Sequence, residues 1–103
     1  SNAAKEVRDQ AQSAAARRAA LLQSLQQALG GPVKSWRARL SVLASAAGDD
    51  QSPALSLEGP TEAQRELDQC ARRLAAECDQ LGEQERALAT HLAALSEQLA
   101  AAR

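Results

Sequence analysis

The stretch ALGGPVKSWRARL, residues 28–40, interrupts a chain that otherwise consists almost entirely of helix-forming residues. Gly30 suits the end of one helix, because glycine adopts a left-handed backbone conformation at little cost. Pro32 suits the first turn of the next helix, where its missing N–H needs no partner. The stretch therefore predicts a corner between two helices, with Gly30, Gly31 and Pro32 as its hinge.

Trp36, just past this hinge, is the only aromatic residue of the chain. It belongs to an apolar seam, meaning the line of heptad positions along one side of a helix, with spacings of 3, 4, 3 and 4. We predict that Trp36 anchors the second helix on the third, near Leu67, Cys70 and Leu74. An exposed contact for a partner protein is the alternative. This seam consists of Val33, Trp36, Leu40, Leu43 and Ala47.

The composition favours an all-α fold. Good helix formers dominate, and Phe, Tyr and Met are absent. A sheet needs β-branched and aromatic residues, which are scarce in this chain. An apolar content of 45% with regular spacing argues against disorder.

The pattern predicts three helices, over residues 4–29, 32–47 and 61–102, with a loop over 48–60, in a single helical domain over 4–103. Residues 1–3, Ser-Asn-Ala, resemble the scar of tag cleavage and are left out of this prediction. Such a scar suggests that the chain is a piece of a longer protein. Thr61 and Gln64 form the pattern of a capping box at the start of the third helix.

Long seams run along the first and third helices. The first consists of Val7, Ala11, Ala14, Leu21, Leu25 and Ala28, with Arg18 at its missing position. The third consists of Ala63, Leu67, Cys70, Leu74, Cys78, Leu81, Glu85, Leu88, Leu92, Leu95, Leu99 and Ala102. A 4–4 step at Leu74 is a stutter, which locally unwinds a left-handed supercoil. The predicted helix-packing residues are Trp36, Leu40, Leu43, Leu67, Leu74, Leu81, Leu88, Leu92 and Leu95.

Two architectures fit these lengths. The first two helices would be roughly 39 and 23 Å long, and the third roughly 63 Å. One solution is an antiparallel, coiled-coil-like hairpin with a kinked first arm. In that arrangement Arg18 falls nearer Leu92 than Glu85, so a pairing of Arg18 with Glu85 stays open. The other is a three-helix bundle in which the corner reverses the chain and the third helix overhangs, where its leucines would require a second chain.

The charges divide the chain into a basic and an acidic part. Residues 10–48 contain no acid and five bases, whereas residues 49–103 contain eleven acids and five bases. Complementarity between antiparallel helices explains this division most simply. The alternative is a basic contact face for nucleic acid, formed by Arg17, Arg18, Arg37 and Arg39, which we consider the weaker hypothesis because few bases and one aromatic residue are present.

No catalytic, metal or cofactor site is predicted. Cys70 and Cys78 are eight residues apart on one helix, roughly 12 Å, which is too far for a disulfide. We interpret them as reduced, buried residues of a cytoplasmic protein. His91 is the only histidine, and one histidine with two distant cysteines does not make a zinc site.

The seam of Val33, Trp36, Leu40 and Leu43, followed by a loop and a long leucine seam over Leu67 to Leu99, resembles the first two helices of a spectrin-type repeat. The resemblance covers about residues 33–103, and residues 4–29 would be the last helix of a preceding repeat. It implies an elongated cytoskeletal scaffold.

We therefore expect a non-enzymatic scaffold or protein–protein interaction segment, binding a protein partner or a second copy through its seams. No membrane-spanning segment and no small-molecule substrate is predicted. The alternatives are a helical sensor or signalling module of a larger protein and, less favoured, a nucleic-acid-binding helix pair.

Overall fold

The computed structural model describes residues 2–30, 35–48 and 59–102. Within these ranges the regular structure consists of three helices, α1 (Asn2–Leu29), α2 (Trp36–Ala46) and α3 (Pro60–Ala101). The helices pack against one another. The predicted all-α class is confirmed.

Helix α1 begins two residues earlier than expected, at Asn2, since Ala3 is a strong helix former and asparagine is well tolerated at a helix start. At its end, the Gly30 N–H donates to the Gln26 carbonyl oxygen at 2.8 Å. The left-handed conformation expected of Gly30 is wrong: among the described residues, the glycine with positive φ is Gly48, at 76°, which follows α2. Gly31 and Pro32, the other two hinge residues, lie outside the described ranges.

Helix α2 begins at Trp36, so the prediction that its helix extends from residue 32 is wrong at Ser35. Ser35 has extended backbone angles, φ −72° and ψ 129°, and its carbonyl oxygen accepts the first helical bond, from Arg39 N–H at 3.0 Å. Serine is common at this N-cap position, although the Ser35 side chain makes no capping hydrogen bond here. The helix ends one residue earlier than predicted, at Ala46.

Helix α3 begins at Pro60, and Gly59 is its N-cap. Proline is favoured at the first helical position, which moves the boundary ahead of Thr61. The predicted capping box is therefore wrong, and the Gln64 amide instead donates to Asp68 Oδ1 at 3.0 Å, one turn further on.

Helix α1 runs antiparallel to both α2 and α3, because its residues 17 and 18 lie beside residues 77 and 85 of α3 while its later residues Leu21 and Ala28 share a core with the earlier α3 residues 67–78. Arg17 in the middle of α1 contacts both Ala46, the last residue of α2, and Glu77 of α3. Since α2 starts close to the end of α1 along the chain, α2 runs antiparallel to α1 and ends beside its middle. The result is a three-helix bundle with a long third helix. Its extents are 66 × 21 × 20 Å, so α3 alone sets its length.

The main core lies where all three helices overlap. Its fully or nearly fully buried members are Leu21, Ala28, Leu40, Leu43, Leu67, Cys70, Leu74 and Cys78, with Trp36 and Leu81 partly buried at its edge. Leucines from each helix therefore share one core, as seams from three helices require.

Beyond the end of α2, the described part of the bundle contains two helices. Here α1 contributes the buried small residues Ala4, Val7 and Ala14. Opposite them, Leu88, Leu92 and Leu95 of α3 are only half-buried. We call this the two-helix section, residues 4–14 of α1 and 82–101 of α3. Two helices cover each other on one side only, which explains the incomplete burial.

The core predicts unequal effects for two leucines. Leu43 is 0% exposed and Leu22 is 47% exposed. We expect Leu43→Ala to lower the free energy of unfolding by about 3 kcal/mol, because it leaves a cavity among three helices. Leu22→Ala, the matched control, is expected to change it by less than about 0.5 kcal/mol. Urea denaturation followed by circular dichroism measures both, and equal losses would contradict this core.

Candidate functional site at the junction of three helices

Two consecutive arginines of α1 meet two glutamates of α3 near the end of α2. Arg17 pairs with Glu77, Nε to Oε1 at 3.3 Å. Arg18 pairs with Glu85, Nη1 to Oε2 at 3.4 Å. We call these four residues, together with Gly82, the junction. It marks the point where the three-helix part of the bundle gives way to the two-helix section.

Arg17 connects all three helices. Besides its contact with Glu77, its Nη2 donates to the carbonyl oxygen of Ala46 at 2.9 Å. The last carbonyl groups of a helix have no partner within the helix, and a cation beside them also complements the helix dipole. Arg17 therefore stabilises the end of α2 while it holds α2 level with the middle of α1.

Arg18 crosses the surface of α3 at Gly82. A Cβ atom built on Gly82 would lie 3.6 Å from Arg18 Nε, which shows how closely the guanidinium group passes the glycine backbone. Gly82 is itself buried. Arg18, the charge in the α1 seam, thus contacts Glu85, the charge in the α3 seam. The pairing that the sequence left open is therefore present in the structure.

This pairing follows from the register of α1 on α3. With the chain reversed after α1, Arg17 lies level with Glu77 and Leu21 packs in the same cluster as Cys78. The kinked hairpin would have brought Arg18 closer to Leu92. The basic middle of α1 therefore faces the acidic part of α3, as the complementarity interpretation requires.

Both pairs are accessible to water. The exposed side-chain fractions are 43% and 41% for Arg17 and Glu77, and 47% and 25% for Arg18 and Glu85. Pairs of this kind contribute about 0.2–1 kcal/mol each. Their main effect is to select one register over others.

The predicted helix-packing residues divide between the two parts of the bundle. Leu40, Leu43, Leu67 and Leu74 are buried in the three-helix core. Trp36 is partly buried and packs against that same core cluster. The predicted residues that are only half-buried are Leu81, Leu88, Leu92 and Leu95.

The four arginines of the candidate basic face do not form one free surface. Arg17 and Arg18 are paired with carboxylates in the junction. The Arg37 guanidinium carbon lies 4.9 Å from the centroid of the Trp36 ring, a cation–π contact. Arg39 is half-buried.

The two cysteines are free, buried thiols. Burial raises the pKa of the Cys70 thiol, although Arg73, whose Nη2 lies 3.1 Å from the sulfur, lowers it in part. Burial also raises the pKa of the Cys78 thiol. Since the thiolate is the reactive form, both cysteines are less nucleophilic than an exposed one.

The described ranges contain no group of His, Cys, Asp and Glu residues that could hold a metal ion. An open groove of about 410 Å³ lies just beyond the end of α2. It occupies the place where a longer second helix would pack. Its lining residues are Asp9, Gln10, Ser13, Ala14 and Arg17 of α1 with Leu81 and Gln84 of α3.

The sequence did not indicate the part played by Gly82 or by the Ala46 carbonyl group. In the sequence, Gly82 indicates only a local weakening of helix α3, and it has no side chain whose chemistry would predict a contact. A backbone acceptor carries no sequence signal at all. The usable clue was that the stutter at Leu74, Gly82 and the seam charge Glu85 all fall within twelve residues of α3.

Comparison with known proteins identifies no relative of this chain. No protein-family model matches the chain, no curated protein matches it, and no solved structure matches it. None of the described helices combines the length and the apolar composition needed to cross a bilayer.

The junction predicts a coupled effect of Arg18 and Glu85. We expect Arg18→Glu and Glu85→Arg each to lower the free energy of unfolding by about 1 kcal/mol, because each places like charges together beside Gly82. The double variant restores opposite charges and is expected to recover most of the loss. Urea denaturation measures the cycle, with Arg8→Glu as the control on the same helix. Strictly additive losses would show that the two side chains do not interact.

Proposed function

We propose that this chain is a non-enzymatic scaffold or protein-interaction segment that binds other helices through its exposed apolar surface. The observation that carries the proposal is the two-helix section, in which Leu88, Leu92 and Leu95 of α3 are half-buried against α1. A leucine seam gains most when further helices cover it, because water is then removed from the whole side chain.

The shape of the bundle supports the same proposal. A rod 66 Å long and about 20 Å wide presents a long lateral surface relative to its volume. Large apolar side chains lie on that surface: Leu22, Leu29 and Leu99 are 47%, 52% and 46% exposed. Leu22 and Leu29 are seven residues apart on α1 and so share one face of that helix, which offers an apolar surface to another helix, whereas Leu99 lies near the end of α3.

The finer proposal is a segment of a spectrin-like cytoskeletal rod. Its support is the resemblance of the Trp36 seam and the long α3 leucine seam to the helices of such repeats. Within the described residues α1 shares its core with α2 and α3, so a preceding repeat would have to be formed by other residues. The proposed compartment is the cytoplasm, since Cys70 and Cys78 are free thiols.

The alternatives have less support. A sensor module needs a cavity for a ligand, and the groove beyond α2 is open to solvent along the bundle surface. A nucleic-acid-binding surface needs unpaired bases aligned on one face, whereas Arg17 and Arg18 contact Glu77 and Glu85. Neither observation favours a sensor module or a nucleic-acid-binding surface over helix packing.

The proposal predicts a rod in solution. We expect small-angle X-ray scattering of dilute protein to give a radius of gyration close to the 18.6 Å of the Cα atoms, slightly increased by side chains and hydration. A globular domain of about 100 residues has a radius of roughly 13 Å. A compact particle near that value would contradict the scaffold proposal, because it leaves no extended surface for helix packing.

A further inference from the structure

Helix α1 is anchored unevenly along its length. Its second half contributes Leu21 and Ala28 to the three-helix core, where they are 0% and 1% exposed. Its first half lies in the two-helix section, where its buried residues are Ala4, Val7 and Ala14. We call the α1 part of this section, residues 4–14, the strap.

The strap has little apolar surface to bury. Its largest apolar residue is Val7, and its other apolar residues are alanines. Its charged residues, which are Lys5, Glu6, Arg8 and Asp9, are all exposed. Burial stabilises a contact roughly in proportion to the apolar area removed from water. Packing of the strap on α3 is therefore stabilised less than packing of the second half of α1, which contains leucines.

The junction fixes α1 just beyond the strap. Arg17 contacts Glu77 and the carbonyl oxygen of Ala46, and Arg18 contacts Glu85. These contacts hold residues 17 and 18 against α2 and α3 whether or not the residues before them touch α3. A separation of the strap from α3 therefore ends at the junction.

The shape of the bundle also separates the two parts. The rod is 66 Å long and about 20 Å wide, so the two-helix section adjoins the three-helix core only at its end. When each part of an elongated protein contacts only its neighbours along the axis, one part can open while another stays folded. Loss of the strap's contacts removes none of the contacts that Leu21, Leu40 and Leu43 make within the core cluster.

We infer that the strap detaches from α3 as a unit, with the junction as its fixed end, while the three-helix core stays folded. The detached state is a minor state of the chain. It uncovers the side of Leu88, Leu92 and Leu95 that packs against α1. The strap is thus a cover for the α3 leucine seam that is built into the fold. This inference concerns the chain alone and does not rest on the scaffold proposal.

Amide hydrogen exchange of the unaltered chain, measured by nuclear magnetic resonance at low urea concentrations, tests the detachment. After correction for intrinsic rates, we expect the amides of residues 8–14 to exchange at least about tenfold faster than those of residues 21–28. Their rates are expected to rise less with urea, because detachment exposes less surface than unfolding of the core. Equal protection and equal urea dependence in both ranges would overturn the inference. Protection that rises gradually from residue 8 to residue 14, as in a fraying helix end, would also overturn it.

A Val7→Ala variant distinguishes detachment from simple melting of the helix. Alanine is a better helix former than valine, so an effect of helix propensity alone would slow the exchange of residues 8–14. If Val7 holds the strap on α3, removal of its methyl groups is expected to speed this exchange at least about fivefold. The exposed neighbour provides the control, and Arg8→Ala is expected to change the rates by less than about twofold. Slower or unchanged exchange in Val7→Ala would contradict the inference.

A Leu43→Ala variant distinguishes detachment from unfolding of the whole chain. Leu43 lies on α2 and is fully buried in the core. We expect this variant to speed the exchange of residues 21–28 about a hundredfold, because these amides exchange only when the core unfolds. The exchange of residues 8–14 is expected to change by less than about twofold, because detachment leaves the core folded. Equal acceleration in both ranges would show that the chain opens only as one unit and would refute the strap.

Discussion

The position of α1 along α3 determines the rest of this structure. Two arginines fix it, Arg17 on Glu77 and Arg18 across Gly82 onto Glu85. Each pair contributes little to stability. Sliding α1 by a heptad toward the end of α3, however, would place Arg18 level with Leu92 and separate it from Glu85. A charge set among leucines is less favourable than one beside a carboxylate, so the lost pairing acts against that register. The charges therefore act by making other registers unfavourable.

From this register follow the two unequal parts of the bundle. Helix α2 fits into the three-helix part because Arg17 holds the Ala46 carbonyl group level with the middle of α1. There the leucines are buried on all sides. Past the junction, small residues of α1 face larger ones of α3, and the leucine seam is left half-covered. Buried leucines are thus concentrated at one end of the rod, and half-buried leucines at the other.

Much of the fold could be predicted because periodicity reports helices directly. The seams identified Leu40, Leu43, Leu67 and Leu74, all of which lie in the core. Helix ends were less accurate, since Ser35 and Gly59 became N-caps where Pro32 and Thr61 had seemed the better signals. Neighbouring residues compete for such positions, and small differences in free energy decide between them.

The junction could be predicted only in part. The sequence showed that Arg18 and Glu85 both interrupt seams, but helix lengths alone allowed two arrangements, and one of them kept these side chains apart. The direction of the chain after Gly30 decides between the arrangements, and this depends on packing between distant residues rather than on local preference. The contact of Arg17 with a backbone carbonyl group has no counterpart in the sequence pattern at all.

The most direct test of the register is a comparison of two distances by pulsed electron paramagnetic resonance. Spin labels are attached to cysteines introduced as Ser13→Cys with Gln84→Cys, and as Ser13→Cys with Glu97→Cys, in a Cys70→Ala, Cys78→Ala background. Ser13 and Gln84 line the same groove, whereas Glu97 lies thirteen residues, about 20 Å, further along α3. The account predicts the shorter distance for the pair at 13 and 84. A shorter distance for the pair at 13 and 97 would place Arg18 beside Leu92, as in the kinked hairpin, and would contradict it.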